Sequence, residues 1–393
     1  MLAELKTDKR PERTAHLALL QADLASTAAP LASARVLPGT VFVDSAIFAL
    51  EQSAIFASDW LCIGRRAELP AAGDYLVREL GGDSIVVTHA AAGALHAFYN
   101  VCRHRGSRLL DNAAGSGLSR ILCPYHSWSY GLDGRLQQAP RMGEAFCAAD
   151  FPLRALRLAE HAGFIFVNRS AAGPALPQQL ADLPDLARYR MPELVCGRRI
   201  EYEVAANWKL LCENYSECYH CVHAHPQLAR LSEQIARDDL RPQFGHCYNG
   251  GPMRLRDGIA TMSMSGGSSV PTIDGLSHAD SRLVHYYLIY PNLMLSPHPD
   301  YVLTHTVWPL SPSRSRVVCE WLFSAAAVAA ADFDPADIVD FWDLTNRQDW
   351  VLCERAQRGA ATSGSRPGPY HDTEDCVHAF DRWYAQRLAA ALT

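Results

Sequence analysis

The chain has 393 residues, of which 49% are hydrophobic, and its formal net charge is −6. This length allows two or three domains, and the lack of a basic excess argues against binding to nucleic acid or to an anionic membrane surface. No apolar run is long enough to cross a bilayer, and the charged N-terminal residues lack the apolar core of a signal peptide. We therefore expect a cytoplasmic protein that makes no membrane contact.

In chain order, the predicted elements divide the sequence into three parts. Residues 1–54 are predicted to form a helical segment that packs on the C-terminal domain. Residues 55–170 contain short runs of β-branched and aromatic residues separated by turn residues, which predicts a compact all-β domain. Residues 171–393 begin with a Pro/Ala-rich linker and are predicted to form a second, larger domain.

The third part mixes element types. The pattern predicts one helix over Trp208–Tyr219 and a longer one from about residue 335 to residue 358. The run Leu283–Leu295 is strand-like and rich in aromatic residues. Strands packed against a long helix indicate an α+β fold.

The first chemical pattern is C-x-H-x18-C-x2-H, formed by Cys102, His104, Cys123 and His126. Two thiolates and two imidazoles suit either a structural zinc ion or a Rieske [2Fe-2S] cluster. Each half of the pattern offers one cysteine and one histidine, which favours a cluster held between two loop tips. Zinc sites more often take a cysteine pair from one turn and a histidine pair from a helix. Most of the twelve cysteines are scattered along the chain and are expected to be reduced.

The second chemical pattern is N-W-K-L-L-C-E-N-Y-S-E-C-Y-H-C-V-H-A-H-P, residues 207–226. Two glutamates precede His220, His223 and His225 in this stretch. A lone histidine is more often a core residue than a ligand, but three close together after two glutamates favour a metal site. A non-heme Fe(II) that activates O2 needs two imidazoles and one carboxylate on one side.

Both patterns resemble those of a known family, the Rieske non-heme iron oxygenases, whose alpha subunits include the ring-hydroxylating enzymes. The resemblance lies in C-R-H-R-G with C-P-Y-H-S-W, and in E-N-Y-x-E-C-Y-H-x4-H-P. It implies that His220 and His225 bind a mononuclear Fe(II), and that the third ligand is Asp349 on a late helix. Asp343 is the competing carboxylate on that helix, and it is better interpreted as a surface charge.

The same resemblance assigns further features. It implies a helix-grip type catalytic domain, with an antiparallel sheet around a long C-terminal helix, behind an all-β Rieske domain. It gives Glu217 the place of the carboxylate that bridges the two metal centres. His223 has no role in the family pattern, so we expect it to be a neighbour of the site rather than a ligand.

Glu217 also points to one branch of the family. Most ring-hydroxylating members have aspartate at this position. The glutamate here resembles the branch that acts on quaternary ammonium compounds, such as glycine betaine monooxygenase and proline betaine demethylase. The late segment E-R-A-Q-R-G and the C-terminal G-P-Y-H-D-T-E-D-C-V-H-A-F-D-R-W-Y resemble that branch as well.

The branch implies a terminal oxygenase that uses O2 to hydroxylate an N-methyl group of a small substrate, giving a demethylated amine and formaldehyde. Electrons would come from NADH or NADPH through a separate flavin/iron–sulfur reductase, because the chain has no G-x-G-x-x-G after a strand and no P-loop. A homotrimer is expected, with the cluster of one subunit facing the iron of the next. An aromatic ring hydroxylase or an O-demethylase is the alternative, and a pure electron carrier or a zinc-binding module is a more distant one.

A quaternary cation offers no N–H group, so its binding site is expected to be lined by aromatic rings. Each aromatic side chain of the third part is also readily explained as a core residue. The sequence does not choose among six candidates: Tyr248, Tyr286, Tyr287, Tyr290, Trp308 and Trp342.

Overall fold

The computed structural model describes residues 10–233 and 240–392. The first nine residues of the predicted helical segment therefore lie outside the described parts of the chain. The described part of that segment forms three helices: α1 (Arg10–Thr27), α2 (Thr40–Val43) and α3 (Ser45–Ala54).

The next part of the chain consists of short antiparallel strands, as predicted. Seven of them form one sheet in the order β1-β10-β9-β4-β3-β2-β5, and β6-β7-β8 form a second, smaller sheet. The strands are β1 (Leu61–Arg65), β2 (Tyr75–Leu80), β3 (Asp83–His89), β4 (Leu95–Tyr99), β5 (Ala114–Gly115), β6 (Ile121–Leu122), β7 (Ser129–Tyr130), β8 (Leu136–Gln138), β9 (Ala155–His161) and β10 (Phe164–Asn168).

The central strands of the larger sheet supply two hydrophobic cores. Leu76 of β2 and Val87 of β3 enter the main core of the protein. Their neighbours Val77 and Val86 enter a smaller core, which also contains both cysteines of the first chemical pattern. Because successive side chains of a strand point to opposite faces, one sheet can join the cysteine loops to the rest of the molecule.

The third part is built on a second antiparallel sheet, in the order β11-β17-β16-β15-β14-β13-β12. Its strands are β11 (Leu194–Val204), β12 (Gln243–Phe244), β13 (Tyr248–Arg254), β14 (Leu283–Ile289), β15 (Leu293–Pro297), β16 (Val302–Ser311) and β17 (Arg314–Ser324). The helices are α4 (Leu176–Gln179), α5 (Trp208–Tyr215), α6 (Cys221–Ala224), α7 (Pro226–Leu231), α8 (Ala325–Ala329), α9 (Ala336–Ala360) and α10 (Asp375–Ala391).

The long helix α9 begins one residue after Pro335, close to the predicted start. It lies across one face of the sheet, where Nε2 of His305 on β16 is 3.2 Å from the amide oxygen of Asn346 on α9. The α+β fold, with an antiparallel sheet around a long helix, is thereby confirmed. The boundaries at residues 54/55 and 170/171 stay predictions. No described helix combines the length and the apolar character that a membrane span requires.

Two predicted elements were wrong in extent. The helix expected over Trp208–Tyr219 ends at Tyr215. The single strand expected over Leu283–Leu295 is a hairpin of β14 and β15, whose turn contains Pro291. Proline has no N–H to donate to a strand ladder, so it ends the strand rather than continuing it.

A buried ion pair joins the N-terminal helices to the third part. Nζ of Lys209, at the start of α5, lies 2.6 Å from a carboxylate oxygen of Glu51 on α3, and both side chains are fully buried. Glu51 also accepts hydrogen bonds from Nε1 of Trp208 at 2.9 Å and from the hydroxyl of Tyr384 on α10 at 2.6 Å. Burial lowers the pKa of Lys209, and the attraction of Glu51 opposes this effect. The pair thus fixes the beginning of α5, the helix that leads into the second chemical pattern.

We expect Lys209→Met to lower the free energy of unfolding by about 3–5 kcal/mol, because it leaves the Glu51 carboxylate buried without its cation. The double variant Lys209→Met/Glu51→Gln should recover much of this loss, since both charges are then removed together. Urea unfolding followed by tryptophan fluorescence measures both values. As a control, Arg347→Gln removes an exposed pair with Asp343 and should cost no more than about 1 kcal/mol. A loss for Lys209→Met no larger than that of the control would contradict the prediction.

Candidate metal centres

The two cysteines of the first pattern open loops of the same backbone geometry. In each loop the cysteine carbonyl accepts a hydrogen bond from the N–H group four residues later, Gly106 or Ser127, at 3.1 Å. The cysteine N–H donates to the carbonyl oxygen five residues later, at 2.8 Å in both loops. The fourth-residue position has a positive φ in both, 70° at Gly106 and 59° at Ser127. Glycine adopts a positive φ without steric cost, so Gly106 suits the first turn, whereas the serine at 127 carries no such signal in the sequence.

The loops bring the four predicted side chains together. Cys102 and Cys123 are 4% and 2% exposed, and their thiols lie close enough to interact. The imidazole rings of His104 and His126 have centroids 4.6 Å apart. Nδ1 of His104 is buried and has no hydrogen-bond partner in the described parts of the chain. A buried ring nitrogen without a partner beside two thiols fits a metal ligand, so the residues present suit a [2Fe-2S] group.

Aromatic side chains surround this donor set. Trp128 stacks on His104 at 4.9 Å between ring centroids, and Tyr125 stacks on His126 at 3.8 Å. The buried hydroxyl of Tyr130 lies 3.3 Å from the sulfur of Cys102. Hydrogen bonds to ligand sulfurs are one means by which proteins tune cluster potentials. Sequence reasoning missed Tyr130, which follows the second loop without any motif of its own.

The three side chains predicted to bind the mononuclear iron converge on one point. Nε2 of His220 lies 3.2 Å from a carboxylate oxygen of Asp349, and Nε2 of His225 lies 2.9 Å from the same oxygen. His220 immediately precedes α6, His225 lies between α6 and α7, and Asp349 projects from α9. Two imidazole nitrogens and one carboxylate oxygen on one side match the donor set of a non-heme iron site.

The outer nitrogen of each imidazole has its own partner. Nδ1 of His220 contacts the Glu217 carboxylate, and Nδ1 of His225 lies 2.8 Å from the side-chain oxygen of Gln348. A proton held at Nδ1 leaves the lone pair of Nε2 free for a metal ion. The side-chain amide of Asn214 donates to Asp349 at 3.1 Å. Asn214 belongs to the E-N-Y part of the second pattern, although its bond to Asp349 was not expected. Gln348 was not singled out from the sequence, because an amide in a helix carries no motif.

The charges of this site depend on one another. Burial alone would lower the pKa of His220, but hydrogen bonds with Asp349 and Glu217 outweigh it and raise the pKa to about 10. Burial would raise the pKa of Asp349, but hydrogen bonds from the two imidazoles lower it. The carboxylate therefore holds its charge by attracting protons onto the histidines. A divalent cation bound by the same three groups would replace those protons.

Glu217 lies outside any helix, although the helix predicted over Trp208–Tyr219 included it. Its carboxylate accepts hydrogen bonds from the backbone N–H groups of Tyr219 and His220, the second at 3.2 Å, and so closes a turn. A side chain that bonds backbone N–H groups two and three residues later competes with helix formation, which explains the early end of α5.

The competing side chains lie elsewhere. Asp343 accepts hydrogen bonds from the hydroxyl of Tyr202 at 2.7 Å and from Arg347 at 2.8 Å, so it pairs with neighbours of its own. His223 is exposed on α6. A disulfide joins Cys218 and Cys221, and nothing in the sequence had indicated it.

The sheet separates the six candidate aromatic residues. Tyr286 contacts Trp342 of α9 with 6.3 Å between ring centroids, on the side of the sheet that Asp349 occupies. His298 adjoins both rings, at 6.2 and 5.4 Å. The other four face elsewhere: Tyr248 and Tyr287 contact each other, Tyr290 packs on α10, and Trp308 lines a cavity on the opposite face of the sheet.

Two family models match this chain. Residues 59–156 match the Rieske [2Fe-2S] domain, and residues 191–390 match the ring hydroxylating alpha subunit (catalytic domain). The matched ranges contain all eight residues predicted for the two centres: Cys102, His104, Cys123, His126, Glu217, His220, His225 and Asp349.

Similar curated proteins extend over most of the chain. The glycine betaine monooxygenase oxygenase subunit of Pseudomonas aeruginosa (strain UCBPP-PA14) is 33% identical over 381 residues, covering 90% of this chain and 89% of the relative. The corresponding subunit of Chromohalobacter salexigens is 35% identical over 389 residues, covering 91% and 86%. The carnitine monooxygenase oxygenase subunit of Escherichia coli (strain K12) is 30% identical over 335 residues, covering 84% and 85%.

Solved structures share the fold. A quaternary ammonium Rieske monooxygenase, described in connection with carnitine oxidation by gut microbiota, superposes with a TM-score of 0.77 at 25% identity, covering 95% of this chain and 98% of that one. Naphthalene 1,2-dioxygenase from Rhodococcus sp. superposes with a TM-score of 0.75 at 20% identity, covering 96% and 98%, and supports the fold alone. The chain therefore belongs to the ring-hydroxylating oxygenase alpha subunits, as an oxidoreductase with a Rieske [2Fe-2S] cluster and a mononuclear iron as its cofactors.

Proposed function

We propose that this chain is a terminal oxygenase that hydroxylates an N-methyl group of a small quaternary ammonium compound, with glycine betaine as the leading candidate. The products are the demethylated amine and formaldehyde. The observation that carries the proposal is the pair Tyr286 and Trp342, which meet on the Asp349 side of the sheet. The names of the similar oxygenase subunits, which refer to glycine betaine and carnitine, support it.

The surroundings of this aromatic pair suit a cation. An aromatic face attracts a quaternary ammonium group through its quadrupole, without needing a hydrogen bond. Burial lowers the pKa of the neighbouring His298 to about 3 and that of His305 to about 4, so both imidazoles are neutral near pH 7. Neutral rings do not repel a cation, and the contacts of these four side chains within the described residues include no lysine or arginine.

We assign the metal ligands as follows. Cys102 and Cys123 hold one iron of the cluster, and His104 and His126 hold the other. His220, His225 and Asp349 hold the mononuclear iron, which when bound supplies the activation of O2. Glu217 and Gln348 keep the two imidazoles in the tautomer that presents Nε2 to the metal.

Glu217 is also the proposed link between the two kinds of centre. In the expected homotrimer, the cluster of one subunit lies against the mononuclear site of the next, and Glu217 joins His220 to a cluster histidine of that neighbour. Exposed apolar side chains flank both centres, Tyr125 and Leu122 beside the cluster loops and Tyr219 and Val222 beside His220. Exposed apolar groups at both ends of such a contact suit an interface between subunits. A separate flavin/iron–sulfur reductase supplies electrons from NADH or NADPH.

The substrate class is tested by turnover of the purified oxygenase with a generic reductase and NADH. We expect formaldehyde release from glycine betaine or another quaternary ammonium compound, matched by NADH consumption, and none from a methoxy-substituted aromatic acid. Formaldehyde from the aromatic acid alone, or a diol from an aromatic hydrocarbon, would instead identify an O-demethylase or a ring hydroxylase.

A variant on α9 tests the cation site itself. Trp342→Leu should raise KM for the quaternary substrate about 5- to 30-fold, the equivalent of about 1–2 kcal/mol of lost cation–π attraction, whereas Trp342→Phe should cost less. Trp350→Leu is the matched control, because Trp350 lies on the same helix and contacts Tyr202 instead. Equal effects of the two leucine variants would argue against the aromatic cage.

The iron assignment is tested by counting metal. The wild-type chain should hold three irons, and Asp349→Ala should hold two while the visible absorption and EPR signal of the cluster stay unchanged. Asp343→Ala, six residues away on the same helix, should keep three. If Asp343→Ala loses the iron and Asp349→Ala keeps it, the ligand assignment is wrong.

The role of Glu217 is tested by single turnover. Glu217→Gln should keep three irons and a normally reducible cluster, but slow substrate-dependent reoxidation of the cluster about 10- to 100-fold, because the carboxylate that orients His220 is lost. Glu217→Asp should retain part of the rate. An unchanged reoxidation rate in Glu217→Gln would show that the coupling runs through other groups.

A further inference from the structure

The segment that carries the second site contains a disulfide that the proposed mechanism does not use. Cys218 and Cys221 are bonded to each other and bracket Tyr219 and His220. The other ten cysteines of the chain form no disulfide. The disulfide loop therefore contains His220, a proposed iron ligand, and it begins at the residue after Glu217.

The sulfur of Cys221 lies within reach of the same metal position. It is 3.9 Å from Nε2 of His220, and the ligand atoms of His220, Cys221 and His225 all lie within 4.8 Å of one another. Zinc–sulfur and zinc–nitrogen bonds of about 2.3 and 2.1 Å allow the two donor atoms on one ion to be up to about 4.4 Å apart. Cys221 and His220 are already within that range.

We propose that the Cys218–Cys221 disulfide keeps Cys221 out of the ligand set and so keeps the second site selective for iron. The thiolate is the form of cysteine that binds metals, and a disulfide sulfur carries no thiolate charge. Two imidazoles and one carboxylate leave open positions that suit Fe(II), whereas a fourth, thiolate ligand completes the closed tetrahedral set that zinc favours. This inference rests on the proposed ligands His220, His225 and Asp349.

Opening the bond takes two electrons and two protons. A dithiol reductant supplies both, becoming a disulfide while Cys218 and Cys221 become thiols. The Cys221 thiol then loses its proton as it binds the metal ion. Cys218 is partly exposed and Cys221 is buried, so the reductant meets the sulfur of Cys218 first.

Matched serine variants test the proposal without a reductant. Cys218→Ser leaves Cys221 as a free thiol, and Cys221→Ser breaks the same bond while removing the new ligand. Each protein, with its cluster intact, is loaded anaerobically with equimolar Fe(II) and Zn(II), and the bound metals are counted by mass spectrometry. We expect Cys218→Ser to raise the ratio of zinc to mononuclear iron at least tenfold over wild type, and Cys221→Ser to leave it near the wild-type value.

Zinc X-ray absorption gives a second readout that does not depend on activity. A sulfur neighbour at about 2.3 Å should be present in zinc-loaded Cys218→Ser and in wild type reduced with a phosphine, and absent in oxidised wild type and in Cys221→Ser. No sulfur neighbour in Cys218→Ser, with an unchanged metal ratio, would overturn the proposal. A second result would also overturn it. If alkylation of the purified wild-type protein shows that Cys218 and Cys221 are both free thiols, the disulfide is absent; if zinc bound to the same unalkylated protein still has no sulfur neighbour, the disulfide is not what excludes Cys221.

The Asp349→Ala variant distinguishes failure of the disulfide proposal from failure of the ligand assignment on which it rests. If Asp349→Ala loses the metal of the second site while Cys218→Ser shows no sulfur neighbour, the ligands stand and the disulfide proposal fails. If Asp349→Ala keeps that metal, the ligand assignment fails first, and the disulfide proposal falls with it.

Discussion

A half-buried carboxylate constrains the second half of this molecule. Asp349 projects from α9 and is met by His220, His225 and the amide of Asn214. An uncompensated charge at this place would cost several kcal/mol, so the segment that carries the histidines has to return to α9. The early end of α5, the turn closed by Glu217 and the short helices α6 and α7 are the local structures that make this return.

The predicted metal ligands also have hydrogen-bonding partners that do not themselves bind metal. Gln348 and Glu217 occupy the outer nitrogens of the two imidazoles, and the hydroxyl of Tyr130 lies beside the sulfur of Cys102. Such partners fix the orientation of the ligands before any metal binds, and the partners of Nδ1 hold a proton there when Nε2 takes the metal. Gln348 and Tyr130 come from elements distant in sequence from the ligands they contact, so the packing of the whole fold bears on the chemistry of each centre.

Successive side chains of a strand point to opposite faces of the second sheet, so neighbouring residues have different surroundings. Tyr286 points towards α9 and meets Trp342, whereas its neighbour Tyr287 points the other way and packs on Tyr248. A shift of one residue in the register of β14 would exchange these two tyrosines. The aromatic pair that suits a cation is therefore a property of strand register as much as of composition.

The sequence by itself determined the chemistry of both centres. The spacing of Cys102, His104, Cys123 and His126 predicted a cluster without help from any family, because few other arrangements use two thiolates and two imidazoles in that order. The assignment of Asp349 over Asp343 depended on resemblance, since two carboxylates on one helix look alike in sequence. Only the tertiary structure decided which of them meets the histidines, which two of six aromatic residues lie on the Asp349 side of the sheet, and that Cys218 and Cys221 are joined. All of these are contacts between side chains. Helix ends, turns and strand register set the direction in which each side chain points, and local sequence does not encode that direction.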